Sequence, residues 1–126
     1  MRVFIGIIIF FLFLLGLGVY MEIVISRQSE ALLQTLDGLE MEVLKNDFAA
    51  LEEQVKKLNR LWTATRKVWV LLIDHRELDE FELSLARAKS YLENQVYIFA
   101  LTEIVQMKQI INQIPDKQRL SLENIL

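Results

Sequence analysis

The chain opens with a stretch that is apolar on every side and continues with stretches that are apolar on one side only. From Val3 to Met21 no residue is charged, and none is Asn, Gln or Pro. At a helical rise of ~1.5 Å per residue this run extends roughly 28 Å, close to the ~30 Å of bilayer hydrocarbon. A helix satisfies its own backbone N–H and C=O groups, so such a segment crosses lipid unaided. A cleaved signal peptide is the competing reading. Arg2 gives it a thin positive start, and Gly16-Leu17-Gly18 gives it a poor cleavage site. The apolar run passes that site and resumes at Ile23-Val24-Ile25, which favours an uncut anchor. A buried core helix fits least, because no face is polar. Residues 1–25 are therefore read as a transmembrane anchor and residues 26–126 as the domain it carries.

Past Met21 the apolar positions fall at helical spacing. Leu32, Leu33 and Leu36 make a short stripe continuous with the anchor. Asp37-Gly38-Leu39-Glu40 then allows two readings: a capping box that starts a new helix, or one Gly tolerated inside a long one at ~1 kcal/mol. The next stripe is Leu44, Phe48, Leu51, Val55, Leu58 and Trp62, continuing through Thr65, Trp69 and Leu72. Its steps of three and four keep helical spacing over roughly eight turns, with Asn59, the weakest helix former in the run, as the place where a helix end would fall.

Asp74-His75-Arg76-Glu77 interrupts that rhythm, and Leu78, Phe81, Leu85, Ala88 and Leu92 restart it. Asp79 followed by Glu82 predicts a second capping box, and so a tight turn near residues 75–78. Glu93-Asn94-Gln95 is a second interruption. Tyr97, Ala100, Leu101, Ile104, Met107, Ile111 and Ile114 form the last stripe, with Val96, Phe99, Val105 and Ile110 as a second apolar side. That helix is expected to be the most central, and Pro115 is expected to end it. Short connections between long amphipathic helices favour antiparallel neighbours. The predicted fold is all-α: a single N-terminal transmembrane helix followed by a small antiparallel bundle of three or four helices. The alternative is one long hairpin, residues 39–74 against 78–114.

Composition narrows the function. Pro115 is the only Pro, and Gly38 the only Gly after Gly18, so the turn signals of a sheet protein are lacking. The chain has no Cys, which excludes disulfides, a thiol nucleophile, zinc thiolates and a lipoprotein anchor. Glycine-rich phosphate loops and the Gly-x-Ser-x-Gly elbow are missing too. Neither a cofactor nor an enzymatic activity is expected.

Charge is segregated along the chain. Residues 22–53 hold eight acids against Arg27 and Lys45. Residues 54–73 hold Lys56, Lys57, Arg60, Arg66 and Lys67 with no acid. Residues 74–82 hold Asp74, Glu77, Asp79, Glu80 and Glu82 against Arg76. The simpler reading pairs the basic helix with its acidic neighbours, at ~0–1 kcal/mol per exposed pair. The sharper one sets the basic stretch against anionic headgroups or an acidic partner. A nucleic-acid partner is not expected at net −3 without exposed stacking platforms.

Few side chains are candidates for a site. His75 is the only His, and Asp79 lies four residues on, so both share a helical face. A metal site needs three or four converging ligands, so a capping or carboxylate-paired histidine is the expectation. Trp62 and Trp69 are seven apart with Arg66 between them, hence on one face. They are read as core anchors, or alternatively as an aromatic patch that docks a partner helix. Tyr20 marks the membrane interface. Arg2 and the α-amino group outweigh Arg27 near the run, which places the N-terminus in the cytoplasm and the domain outside. Only Met1 and Arg2 precede the run, so the working part is expected in residues 22–126.

Trp62, the segment Trp69-Val70-Leu71-Leu72-Ile73-Asp74-His75-Arg76-Glu77-Leu78-Asp79, and Leu120-Ser121-Leu122-Glu123-Asn124-Ile125-Leu126 behind a single span resemble the family catalogued as domain of unknown function 4363. That family consists of small bacterial proteins with one N-terminal span and no assigned activity. The resemblance implies an all-helical, membrane-anchored, non-enzymatic module with no catalytic residues. It also implies that His75 and Asp79 matter to the turn, and that Leu120–Leu126 is an ordered part of the fold. The expected function is a membrane-tethered interaction module, an adaptor or scaffold for another membrane protein, or one that self-associates. The alternative is a ligand- or ion-sensing bundle with the acidic turn at residues 74–82 as its site.

Overall fold

A computed structural model describes the backbone of residues 1–125 and the side chains of residues 1–114. Among the described residues the chain is four α-helices with no strand: α1 (Arg2–Lys45), α2 (Phe48–Leu72), α3 (His75–Glu93) and α4 (Tyr97–Ile125). Helix α1 packs against α2 and α4, and α4 packs against α3; the α2–α3 contact is much thinner. This is the expected antiparallel bundle, with α1 and α4 as its central pair. The single hairpin does not form.

The 44 residues of α1 span roughly 66 Å. Its first half is exposed and is long and apolar enough to cross a membrane. Burial begins at Ile25 and runs through Ser29, Leu32, Leu36, Leu39 and Val43, steps of three and four that lay one stripe against the bundle. Gly38 lies inside this helix, so no capping box starts there. Helix α2 comes close at that point: a Cβ on Gly38 would lie 3.3 Å from Gln54 Oε1. Asp37 and Glu40 are not caps; both accept from Lys108 on α4.

The stripe from Leu44 to Phe48 is broken, contrary to its spacing. Asn46 adopts the left-handed conformation at φ 57°, which Asn tolerates better than most residues. The Asn46 N–H reaches Val43 O (3.3 Å) and the Asp47 N–H reaches Glu42 O (3.4 Å), a Schellman closure. Asp47 then caps α2, its side chain accepting from Ala50 N at 3.2 Å. Two adjacent residues thus end one helix and start the next. The α3–α4 connection repeats the closure, with Gln95 at φ 60° and Val96 N 2.8 Å from Tyr91 O.

The α2–α3 turn lies earlier than expected. Ile73 ends α2, and Asp74 caps α3 by accepting from Arg76 N at 3.0 Å. Asp79 sits in the second turn of α3, where the backbone N–H groups already have helical partners. Asp74→Ala is expected to cost about 1 kcal/mol, seen as a lower denaturant midpoint, whereas Asp79→Ala should lie within about 0.5 kcal/mol of the parent.

Pro115 does not end α4, which continues to Ile125. A mid-helix proline costs ~3 kcal/mol, but the turn before it is fixed by Ile110, Ile111 and Ile114, all buried in the bundle. The side chains of Leu120–Leu126, and the backbone of Leu126, lie outside the described residues.

Candidate interaction site

Trp62, Arg66 and Trp69 form the seam that joins α2 to both of its neighbours. Trp69 is fully buried and donates from Nε1 to Gln28 Oε1 on α1 at 2.8 Å. Its ring meets Trp62 edge-on, with centroids 5.9 Å apart at 84°. Trp62 in turn packs on Phe81 of α3 at 4.3 Å. Glu82 accepts from Trp62 Nε1 at 3.3 Å and from Arg66 Nε. The aromatic face is therefore spent inside the fold, and core anchoring is its role. Where the α2 and α3 backbones diverge, these large side chains fill the gap.

Two of the five cations on α2 find acids: Arg66 with Glu82, and Lys56 with Glu52 at 3.5 Å. Lys57, Arg60 and Lys67 are exposed and form no ion pair among the described residues. On the α3–α4 face, Glu103 accepts from Arg87 at 2.8 Å and from the buried Ser84 hydroxyl at 2.6 Å. These networks fix the register of neighbouring helices.

Lys108 holds α4 to α1 through Asp37 and Glu40. Partial burial works to lower its pKa, but the hydrogen bonds to Asp37 and Glu40 and their charges outweigh it, so the ammonium is held above the ordinary 10.5. The folded chain therefore binds this proton more tightly than the unfolded chain. Its contribution is complete below pH 10.5 and is lost as pH rises through the raised value. Lys108→Met is expected to lose roughly 1–2 kcal/mol at neutral pH. Denaturant unfolding of both proteins should show that difference shrinking in strong alkali.

His75 and Asp79 are both exposed on α3, and Asp74 is engaged as a helix cap. Among the described residues no three His, Cys, Asp or Glu side chains gather as a metal cluster.

The surface that remains is at the opposite end, where α1 and α3 finish and α2 and α4 begin. Leu44 is 66% exposed and Ile98 78%, and Met41, Phe48 and Phe99 are exposed beside them in the chain. Phe48 stands 6.0 Å from Tyr97, and Phe99 stands 5.5 Å from Tyr91. Below this tip the diverging α2 and α3 leave a groove of about 400 Å³ floored by Leu51, Val55 and Leu92, with Lys56 and Lys89 on its rim. Sequence spacing assigned Leu44, Phe48 and Phe99 to core stripes. The signal that could have corrected this is Asn46-Asp47, a left-handed residue followed by an N-cap.

Neither a curated protein nor a solved structure matches the chain. Residues 19–125 match the family model described as Domain of unknown function (DUF4363), and the chain belongs to that family.

Proposed function

We infer that the protein is a membrane-tethered, non-enzymatic helical interaction module that positions another membrane protein or a second copy of itself. The N-terminal half of α1 stays uncut in a bacterial cell membrane, its short end cytoplasmic and the bundle outside. The observation that carries this reading is the tip formed around Leu44, Phe48 and Ile98. Among the described residues the buried stripes of the helices face one another, yet Leu44, Phe48, Ile98 and Phe99 stay exposed at the end farthest from the candidate span. Contiguous exposed apolar surface marks sites of association. About 21 residues of α1 separate Val24 from Lys45, so the tip stands roughly 30 Å from the end of the apolar segment. The bundle then acts as a spacer that presents a docking surface at fixed height.

The test is crosslinking in native membranes followed by extraction in mild detergent and identification of what is attached. A discrete crosslinked partner or homodimer is expected. Recovery of monomer alone would remove the proposal.

A further inference from the structure

The last turn of α2 lies beside the last turns of the apolar run of α1. Leu17, Tyr20 and Val24 make one wall of a cleft of about 370 Å³, and Val68, Leu71 and Leu72 make the other. Leu71 is 82% exposed, more than any other large apolar side chain among the described residues except Met1. A single exposed Leu is ordinary. This one is different because its cleft is continuous with the surface that faces lipid if the run spans a membrane.

We propose that the C-terminal turn of α2 is seated in the lipid interface, with an acyl chain filling the cleft between Leu71 and Tyr20. The bundle then touches the bilayer at a second point and has a fixed orientation instead of swinging on α1. This rests on the reading of Val3–Met21 as a transmembrane span.

The heights agree with it. The Trp69–Gln28 hydrogen bond sets α2 level with α1. Met21 is seven residues from Gln28, about 10 Å, and Leu71 is two residues from Trp69, about 3 Å. The end of α2 is thus within about 7 Å of the edge of the apolar run, comparable to the interfacial layer of roughly 5–8 Å per leaflet. Tyr20 is the residue type that collects at that depth. Lys67 and Arg76 flank the turn, exposed and without ion pairs among the described residues, and their long stems let the charges reach phosphates. Two acids lie next to the cleft in sequence, Glu22 beside Met21 and Asp74 two residues past Leu72, and both are engaged: Asp74 accepts from the backbone of Arg76, and Glu22 has an interaction of its own. A second copy of this chain would have to enter the same cleft from within the membrane, against lipid in large excess.

The chain has no Cys, so single labels can be placed at will. The full chain is placed in nanodiscs of phosphatidylcholine and phosphatidylglycerol, with a nitroxide at Leu71→Cys, Phe11→Cys or Leu83→Cys. Relaxation by oxygen, which concentrates in lipid, is compared with relaxation by a water-soluble nickel chelate. Leu71→Cys is expected to resemble Phe11→Cys, with a chelate effect several-fold below that at Leu83→Cys, an exposed position midway along α3. A chelate effect at Leu71→Cys equal to that at Leu83→Cys overturns the proposal. Shielding from both agents, with spin–spin broadening, overturns it in favour of a second copy. If Phe11→Cys is itself open to the chelate, the span reading has failed and the seating fails with it. Helical content matching the parent chain confirms that each labelled variant is folded.

Discussion

Trp69→Ala is expected to destabilise the bundle by about 3–5 kcal/mol, the range for truncating a fully buried Trp. The figure is large for three reasons that act at one place. The indole is wholly removed from water, so its loss leaves a void between α1 and α2. Its edge-on contact with Trp62 disappears, and Trp62 is the residue that reaches Phe81 across the thin α2–α3 contact. Gln28 loses the donor at 2.8 Å that satisfies its side-chain oxygen. Small domains hold only about 5–15 kcal/mol in total, so this one change removes a large share of the stability. Urea unfolding of the full chain in detergent, followed by far-UV circular dichroism, measures it. Trp69→Phe separates the contributions: the ring remains but Gln28 is left unpaired, and a loss of roughly 1–3 kcal/mol is expected. Equal losses for the two variants would mean that the hydrogen bond dominates. A loss under about 1 kcal/mol for Trp69→Ala would mean that the seam does not hold the fold together.

Helical periodicity made most of this architecture legible, because period and burial agree wherever a stripe stays within one helix. The run from Leu78 to Leu92 and the run from Ala100 to Ile114 lie where their spacing put them. Periodicity failed where two helices happen to keep phase across a tight turn. Leu44 and Phe48 are four apart and look like neighbours on one face, but Asn46 is left-handed and reverses the chain between them. It left Gly38 open and failed at Pro115: Gly38, at a cost of ~1 kcal/mol, stays helical between the buried Leu36 and Leu39, and Pro115, at ~3 kcal/mol, follows a turn fixed by the buried Ile110, Ile111 and Ile114. The acidic turn misled for a related reason. Asp74 and Asp79 both precede apolar runs, and only the backbone decides which one caps. The Trp62–Trp69 seam followed from spacing alone, whereas its partners Gln28 and Glu82 required the tertiary structure, lying 41 and 20 residues away in the chain.

Charging the distal tip is expected to separate association from folding. Leu44→Glu combined with Ile98→Glu places two carboxylates where the apolar surface is most exposed. Neither side chain contributes to the core, so unfolding should shift by no more than about 0.5 kcal/mol per site. Association should fall much further. A carboxylate trapped in an apolar contact must be desolvated without a partner, and hot-spot positions lose ~2 kcal/mol or more on truncation alone. Two such sites give on the order of a thousandfold weaker binding, enough to abolish a crosslinked product. Leu83→Glu is the control: it alters an exposed apolar residue on α3 away from the tip and should leave the crosslink intact. If the double variant crosslinks as efficiently as the parent chain, the tip is not the docking surface. If it loses the crosslink together with its helical signal, Leu44 and Ile98 belong to the folding unit. If it keeps its fold and loses its partner, the work of the bundle is done at the end that stands roughly 30 Å from the apolar run, and the helices below it serve to hold that end in place.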